Sequence, residues 1–249
     1  MTSPQYLKRT IVKETVVSRY LPEGSRELRV YLPPGYNEII SYPVIYCQDG
    51  EDFFNFGRIA TLANKLILEA DMEPIIIVGV DVDKSKRTAE YAPDGDRHAS
   101  YIRFFVEEMI PYVASRYTVR DEPGQVILAG DSLGATVSLH IALAYPGRFT
   151  KLISFSGAYF PVSRELTRQH PESLEWLKLF MTVGLQETAF ETTDRGVYDF
   201  VALNRDMKAV LESKGAGLTY IERDGLHQWG YWQKQVPEAL EWAFNPTAL

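Results

Sequence analysis

Gly130-Asp131-Ser132-Leu133-Gly134 is the stretch whose reading decides the fold. The pattern Gly-x-Ser-x-Gly puts a serine on a strained turn between a strand and a helix, where side chains at the flanking positions would clash. Ahead of it, Gln125-Val126-Ile127-Leu128-Ala129 is a short apolar run suited to a buried strand. Behind it, residues 135–144 are rich in helix formers and end at Tyr145-Pro146-Gly147, a stop signal. Strand, turn and helix in that order form the context in which such a serine stands exposed as a nucleophile.

Outward from this stretch, residues 11–20 and 26–32 alternate in the manner of an antiparallel pair turning at Pro22-Glu23-Gly24-Ser25. Pro33-Pro34-Gly35-Tyr36 then breaks the chain, and from Pro43 onward strands alternate with helices. Strands are predicted over 44–47, 75–80, 126–129, 152–155, 177–183 and 218–221, and helices over 59–70, 99–116, 133–144, 198–214 and 232–243. The run Ile75-Ile76-Ile77-Val78 is continuously β-branched, as a parallel strand covered on both faces should be. Two antiparallel strands leading into six β/α units predict one α/β domain over 1–249. Its eight-stranded, mostly parallel sheet flanked by helices is the layout of an α/β-hydrolase. Residues 159–176, with Phe160, Leu174 and Trp176 among polar residues, read equally as a small lid or a connecting helix.

A length of 249 residues suits one such domain, and 45% hydrophobic with 24% charged residues gives the balance of a globular protein with an ample core. The net charge of −7, offset by no basic run, argues against nucleic acid or an anionic membrane as partner. No apolar stretch is long enough to span a bilayer, and the first nine residues lack the apolar core of a signal peptide. The one cysteine, Cys47, sits in an apolar run as an inert buried thiol, so a cytoplasmic address is expected.

A serine hydroxyl needs a base within hydrogen-bond reach, and the base needs a third group to fix its tautomer. Of the four histidines, His140 lies inside the helix after the turn, His98 near a helix start and His170 before Pro171. His227 follows the last predicted strand and is the expected base, since Ser, acid, His is the chain order of this layout. The acid belongs after the strand over 177–183, where Glu187 leads and Asp194 is the alternative. Asp199 is expected to start a helix, and Asp224 is too close to His227 in sequence. A tetrahedral intermediate needs two N–H donors: one is assigned to Leu133, the other to Glu51 in the loop Gln48-Asp49-Gly50-Glu51-Asp52. The carboxylates of that loop read as a solvated turn, since no histidine stands at ligand spacing. Neither a metal nor another cofactor is expected.

Gly-Asp-Ser-Leu also marks a separate hydrolase family, whose serine lies near the N-terminus and whose histidine sits in a late Asp-x-x-His pair. Asp224 and His227 have that spacing, but the mid-chain position of Ser132 and the presence of Gly134 set the chain apart. It resembles instead the esterase branch that includes esterase D, feruloyl esterases, mycolyltransferases and enterochelin-type siderophore esterases. The resemblance covers nearly the whole chain. It rests on Tyr31-Leu32-Pro33-Pro34-Gly35-Tyr36, the Asp49-Gly50 loop and Arg87-Thr88-Ala89-Glu90-Tyr91-Ala92-Pro93. Residues 105–113, the serine turn, and His227 with Trp232 after it complete the match.

By that similarity Ser132 matches the family nucleophile, His227 its base and Glu187 the position of its acid, which is often Asp. Arg87 and Tyr91 fall in a segment that borders the pocket in relatives, or serve as a surface ion pair and a core aromatic. The implied reaction is hydrolysis of a small or aromatic carboxylic ester through an acyl-enzyme, with a small-molecule ester as the partner. The alternatives are a siderophore trilactone esterase using Arg58, Arg87 and Arg97, an acyltransferase with the same residues, or a non-catalytic binding module. Oligomeric state is left open.

Overall fold

Alternate residues of the central strands feed opposite faces of one sheet, which is what makes this a three-layer molecule. The computed structural model describes residues 9–192 and 195–245. The sheet is built from β1 (Thr10–Val17), β2 (Ser25–Leu32), β3 (Val44–Cys47), β4 (Ile76–Val80), β5 (Val126–Asp131), β6 (Lys151–Phe155), β7 (Lys178–Gly184) and β10 (Gly217–Arg223). Their order is β1-β2-β4-β3-β5-β6-β7-β10. β1 pairs antiparallel with β2 and β2 antiparallel with β4, while every later pairing is parallel. This is the eight-stranded, mostly parallel α/β-hydrolase sheet read from the sequence.

Val44, Tyr46, Ile76, Val78 and Leu128 join one buried cluster, and Ile45, Cys47, Ile77, Ile127 and Ala129 the other. Over the first cluster lie α4 (His98–Arg103), α5 (Ile110–Arg116), α6 (Leu133–Ala144) and α8 (Phe200–Ser213), contributing Tyr101, Val113, Leu139 and Met207. Over the second lie α1 (Gly50–Asn55), α2 (Ile59–Glu69) and α9 (Trp229–Phe244), contributing Phe53, Ala63, Trp232 and Leu240. Two further helices, α3 (Arg87–Tyr91) and α7 (Pro161–Gln169), and a hairpin of β8 (Phe190–Thr192) with β9 (Gly196–Tyr198), lie between these elements in the chain. No helix among the described residues is long and apolar enough to cross a membrane.

Several expected boundaries move. The helix predicted over 99–116 is broken by a π-helical stretch at Phe104–Met109, whose apolar side chains are buried. Tyr198 belongs to the hairpin, so α8 starts at Phe200, with Asp199 capping it by accepting from the Ala202 N–H at 2.9 Å. Segment 159–176 contains α7, which packs on α8; Leu174 is fully buried, and Phe160 precedes the helix. Cys47 is buried, and burial pushes its thiol well up, in keeping with an inert side chain.

Candidate active site

The register of the sheet explains why distant residues meet. Asp131, Phe155, Thr182 and Ile221 stand in one row across β5, β6, β7 and β10. Beyond that row β5 and β6 leave the sheet at once and β7 and β10 two residues later, so all four emerge at their carboxyl ends, the edge where open α/β sheets place their ligands. Ser132, Ser156, Glu187 and His227 all come from the segments that leave there.

Ser132 is the first of these. It has φ 51 and ψ −122, the left-handed side of the map that a serine adopts only under constraint. The turn is clamped from both sides: Ser132 N–H donates to the Phe155 carbonyl at 2.9 Å, and the Ala158 N–H donates to the Ser132 carbonyl at 3.0 Å. A Cβ on Gly130 would lie 2.1 Å from the Gly134 carbonyl carbon, so no side chain fits between strand end and helix start. Leu133 is the first residue of α6, and its N–H has no intrahelical acceptor.

His227 arrives from the loop after β10. Its Nε2 lies 3.0 Å from Ser132 Oγ, and its Nδ1 lies 2.7 Å from Glu187 Oε2. Phe190 and Phe200 crowd the imidazole from adjacent sides, tilted to it with ring centroids at 4.2 and 4.0 Å, and Trp232 meets it edge-on at 4.9 Å. Burial among these rings drives the His227 pKa down, and the hydrogen bond that Nδ1–H donates to Glu187 opposes it without cancelling it. The ring is therefore neutral at pH 7, the state in which Nε2 can take a proton.

Glu187 is buried, yet both carboxylate oxygens are satisfied. Oε1 accepts from Ser156 Oγ at 2.7 Å and from the Gly184 N–H at 2.8 Å, leaving Oε2 for His227. Ser156 in turn accepts from Trp232 Nε1–H at 2.8 Å. Ser156 thus orients the Glu187 carboxylate, a contact no sequence pattern marked. Gly184 is needed for closeness, since a Cβ there would lie 2.4 Å from the Gly225 carbonyl oxygen and 2.7 Å from Glu187 Oε1. Asp194 lies outside the described residues. Asp224 is exposed and accepts from Gln186 Nε2 at 2.6 Å, away from the imidazole.

These groups open into a cavity of about 730 Å³. Ser132, Leu133 and His227 line it, with the aromatic residues Phe160, Phe190, Phe200, Trp229 and Trp232 and the polar segment Lys84, Ser85, Arg87 and Thr88. Glu51 does not line the cavity. Its half-exposed side chain pairs with Arg29 at 2.9 Å, while its N–H, at the second position of α1, has no intrahelical acceptor.

The neighbouring carboxylates correct a reading made above: the segment expected as a solvated turn is α1, and Asp49 is buried. Asp49 accepts from Arg87 Nε at 2.7 Å and Nη2 at 2.8 Å, and from Lys84 at 3.2 Å. Tyr91 is a fully buried aromatic whose hydroxyl accepts the Asp49 N–H at 3.2 Å. Of the three arginines considered for an anionic pocket, only Arg87 lines the cavity; Arg97 pairs with Glu23 at 3.3 Å, and Arg58 is exposed elsewhere. The β8–β9 hairpin, also unforeseen, supplies Phe190, and Arg195 beside it pairs with Asp94 at 2.8 Å.

The protein-family model described as "Putative esterase" matches residues 18–243. The Bacillus subtilis (strain 168) protein YjcH is 35% identical over 233 residues, 93% of this chain and 96% of its own length. A ferulic acid esterase structure superposes with a TM-score of 0.80 at 18% identity, covering 96% of this chain and 99% of its own. The Shigella flexneri enterochelin esterase gives a TM-score of 0.81 at 20% identity, covering 95% of this chain and 58% of its own.

Proposed function

This chain belongs to the Putative esterase family, and on that premise we propose that it hydrolyses a carboxylic ester through an acyl-enzyme on Ser132. The observation that carries the reading is the unbroken hydrogen-bonded line Ser132 Oγ–His227–Glu187, opening into an aromatic-walled cavity.

Ser132 Oγ attacks the ester carbonyl while His227 Nε2 takes its proton. Glu187 holds Nδ1–H and stabilises the imidazolium that forms. The Leu133 N–H, at the start of α6 and on the cavity, donates to the oxyanion, such a donor being worth about 3–4 kcal/mol in the transition state. His227 then gives its proton to the departing alkoxide, and water, activated by the same imidazole, releases the acid and frees Ser132. The aromatic lining suits an apolar or aromatic group on the ester. Treatment with a fluorophosphonate should add one phosphonyl group to Ser132, and Ser132→Ala should abolish both labelling and turnover of 4-nitrophenyl butyrate. Undiminished hydrolysis by that variant would remove Ser132 from the mechanism.

A further inference from the structure

Two carboxyl groups, Asp52 and Asp131, and two cations, Lys84 and Arg87, line the cavity with Ser132, and a third carboxyl, Asp49, is buried against both cations. Both cations are committed. Lys84 Nζ holds Asp52 at 2.6 Å and Asp49 at 3.2 Å. Arg87 holds Asp49 with Nε and Nη2, and Nη2 also donates to the Asp131 carbonyl at 3.2 Å. Arg195, the remaining cationic residue lining the cavity, is paired with Asp94. The carboxyl left over is Asp131: its Oδ2 stays 3.9 Å from Arg87 Nη2, and its Oδ1 has no hydrogen-bond partner. That side chain is 8% exposed, lines the cavity and immediately precedes the nucleophile.

We propose that Asp131 is a specificity-determining residue of the ester site, admitting uncharged esters and disfavouring those with a negative charge near the scissile carbonyl. The inference rests on the hydrolase reading above. An anionic ester meets cations already held by carboxylates here, and it would stand beside the unpaired Asp131 carboxylate in a part-buried site, where like charges repel strongly. A trianionic catecholate lactone would be the extreme case.

The groups facing Asp131 point to when that repulsion operates. Burial, reinforced by Asp49, raises the Asp131 carboxyl to about 7. Around it, the Cys47 thiol is pushed well up and stays neutral, and Lys84 and Arg87 are raised and stay charged. Asp49, facing Arg87 and Lys84, is held low and stays ionised, with Asp52 ion-paired to Lys84 behind it. His227, across Ser132, is lowered and is neutral near pH 7. Among these, Asp131 is the group whose charge appears as the pH rises through neutrality.

Two esters sharing one leaving group provide the test: the mono-4-nitrophenyl ester of adipic acid, which carries a free carboxylate, and its methyl ester, which does not. The ratio of their kcat/KM values cancels what Ser132, His227 and Glu187 contribute to both. It should favour the methyl ester about tenfold near pH 8 and narrow several-fold towards pH 6, as Asp131 takes up a proton. In Asp131→Asn the ratio should be smaller and flat with pH. A wild-type ratio near one at pH 8 overturns the inference without recourse to any variant, and so does a ratio unaltered by Asp131→Asn. If neither ester is cleaved and a fluorophosphonate leaves Ser132 unlabelled, the hydrolase reading itself fails and the inference falls with it.

Discussion

Among the described residues two serine–histidine pairs stand at almost the same separation and with opposite meaning. His227 Nε2 lies 3.0 Å from Ser132 Oγ, and His140 Nε2 lies 2.8 Å from Ser163 Oγ. The second pair joins α6 to α7 and is sealed: Ser163 is fully buried, and its backbone is not in the left-handed region. No carboxylate is hydrogen-bonded to His140 among the described residues, and the side chain beside it is His98, edge-on at 5.3 Å. Burial, with His98 nearby, holds the His140 pKa down to about 3. The first pair has what the second lacks: a strained serine, a carboxylate behind the imidazole and a cavity in front. A serine and a histidine in contact are glue until those three are added.

The sharpest way to break the comparison is to remove each serine in turn. Ser132→Ala should lower kcat for an uncharged ester by at least about 10⁴-fold, whereas Ser163→Ala should stay within about threefold of wild type per folded molecule. Comparable losses in the two variants would erase the distinction. Next in size is Glu187→Gln, which keeps the shape but presents an amide to Nδ1; kcat should fall about 10³-fold or more, with KM little changed.

A smaller effect separates the two imidazoles by pH. The proposed mechanism needs His227 neutral, and burial lowers its pKa below the ordinary value of about 6.5. Accordingly the acid limb of kcat/KM should lie below the pH at which an ordinary imidazole protonates, falling about tenfold per unit there. His140 should leave its mark on stability instead. Its folded pKa is depressed, so below about 6.5 the unfolded chain takes up a proton that the folded chain refuses. The melting temperature should therefore drop as pH falls from about 6.5 towards about 4, and part of that slope should vanish in His140→Gln. His98, also lowered by burial, supplies a share of the remainder.

A milder loss is expected of Ser156→Ala, which removes one of three hydrogen bonds to the Glu187 carboxylate and leaves Trp232 Nε1–H without its acceptor. A several-fold loss in kcat is expected, small beside Glu187→Gln because the Gly184 N–H still holds the carboxylate.

Ser132 and His227 were legible because a strained turn leaves a glycine signature and because a parallel sheet delivers its loops to one edge in a fixed chain order. Glu187 was legible by counting strands. The partners that hold these groups were not. Ser156 carries no motif, and its position became meaningful only when β6 fell between β5 and β7. Asp49 sits among acidic residues in a loop sequence, so it reads as solvated; Arg87, the partner that makes burial tolerable, lies 38 residues away. The β8–β9 hairpin has three-residue strands, too short for any alternation to register, yet Phe190 on it desolvates the imidazole. Periodicity reports burial against the sheet. It is silent on ion pairs and ring stacks formed between segments distant in sequence.

The contact of Gly184 with Gly225 has a consequence for how this machinery responds to disturbance. Leu185 and Gln186 donate to the Arg223 and Gly225 carbonyls at 2.8 and 3.0 Å, so the loops bearing acid and base are stitched together along their main chains. Displaced, they travel as one cassette and keep their mutual geometry. Heat, pressure or a distant substitution would then detune the enzyme first at the seam between that cassette and the serine, much as a wheel goes out of true at one spoke while its hub stays rigid.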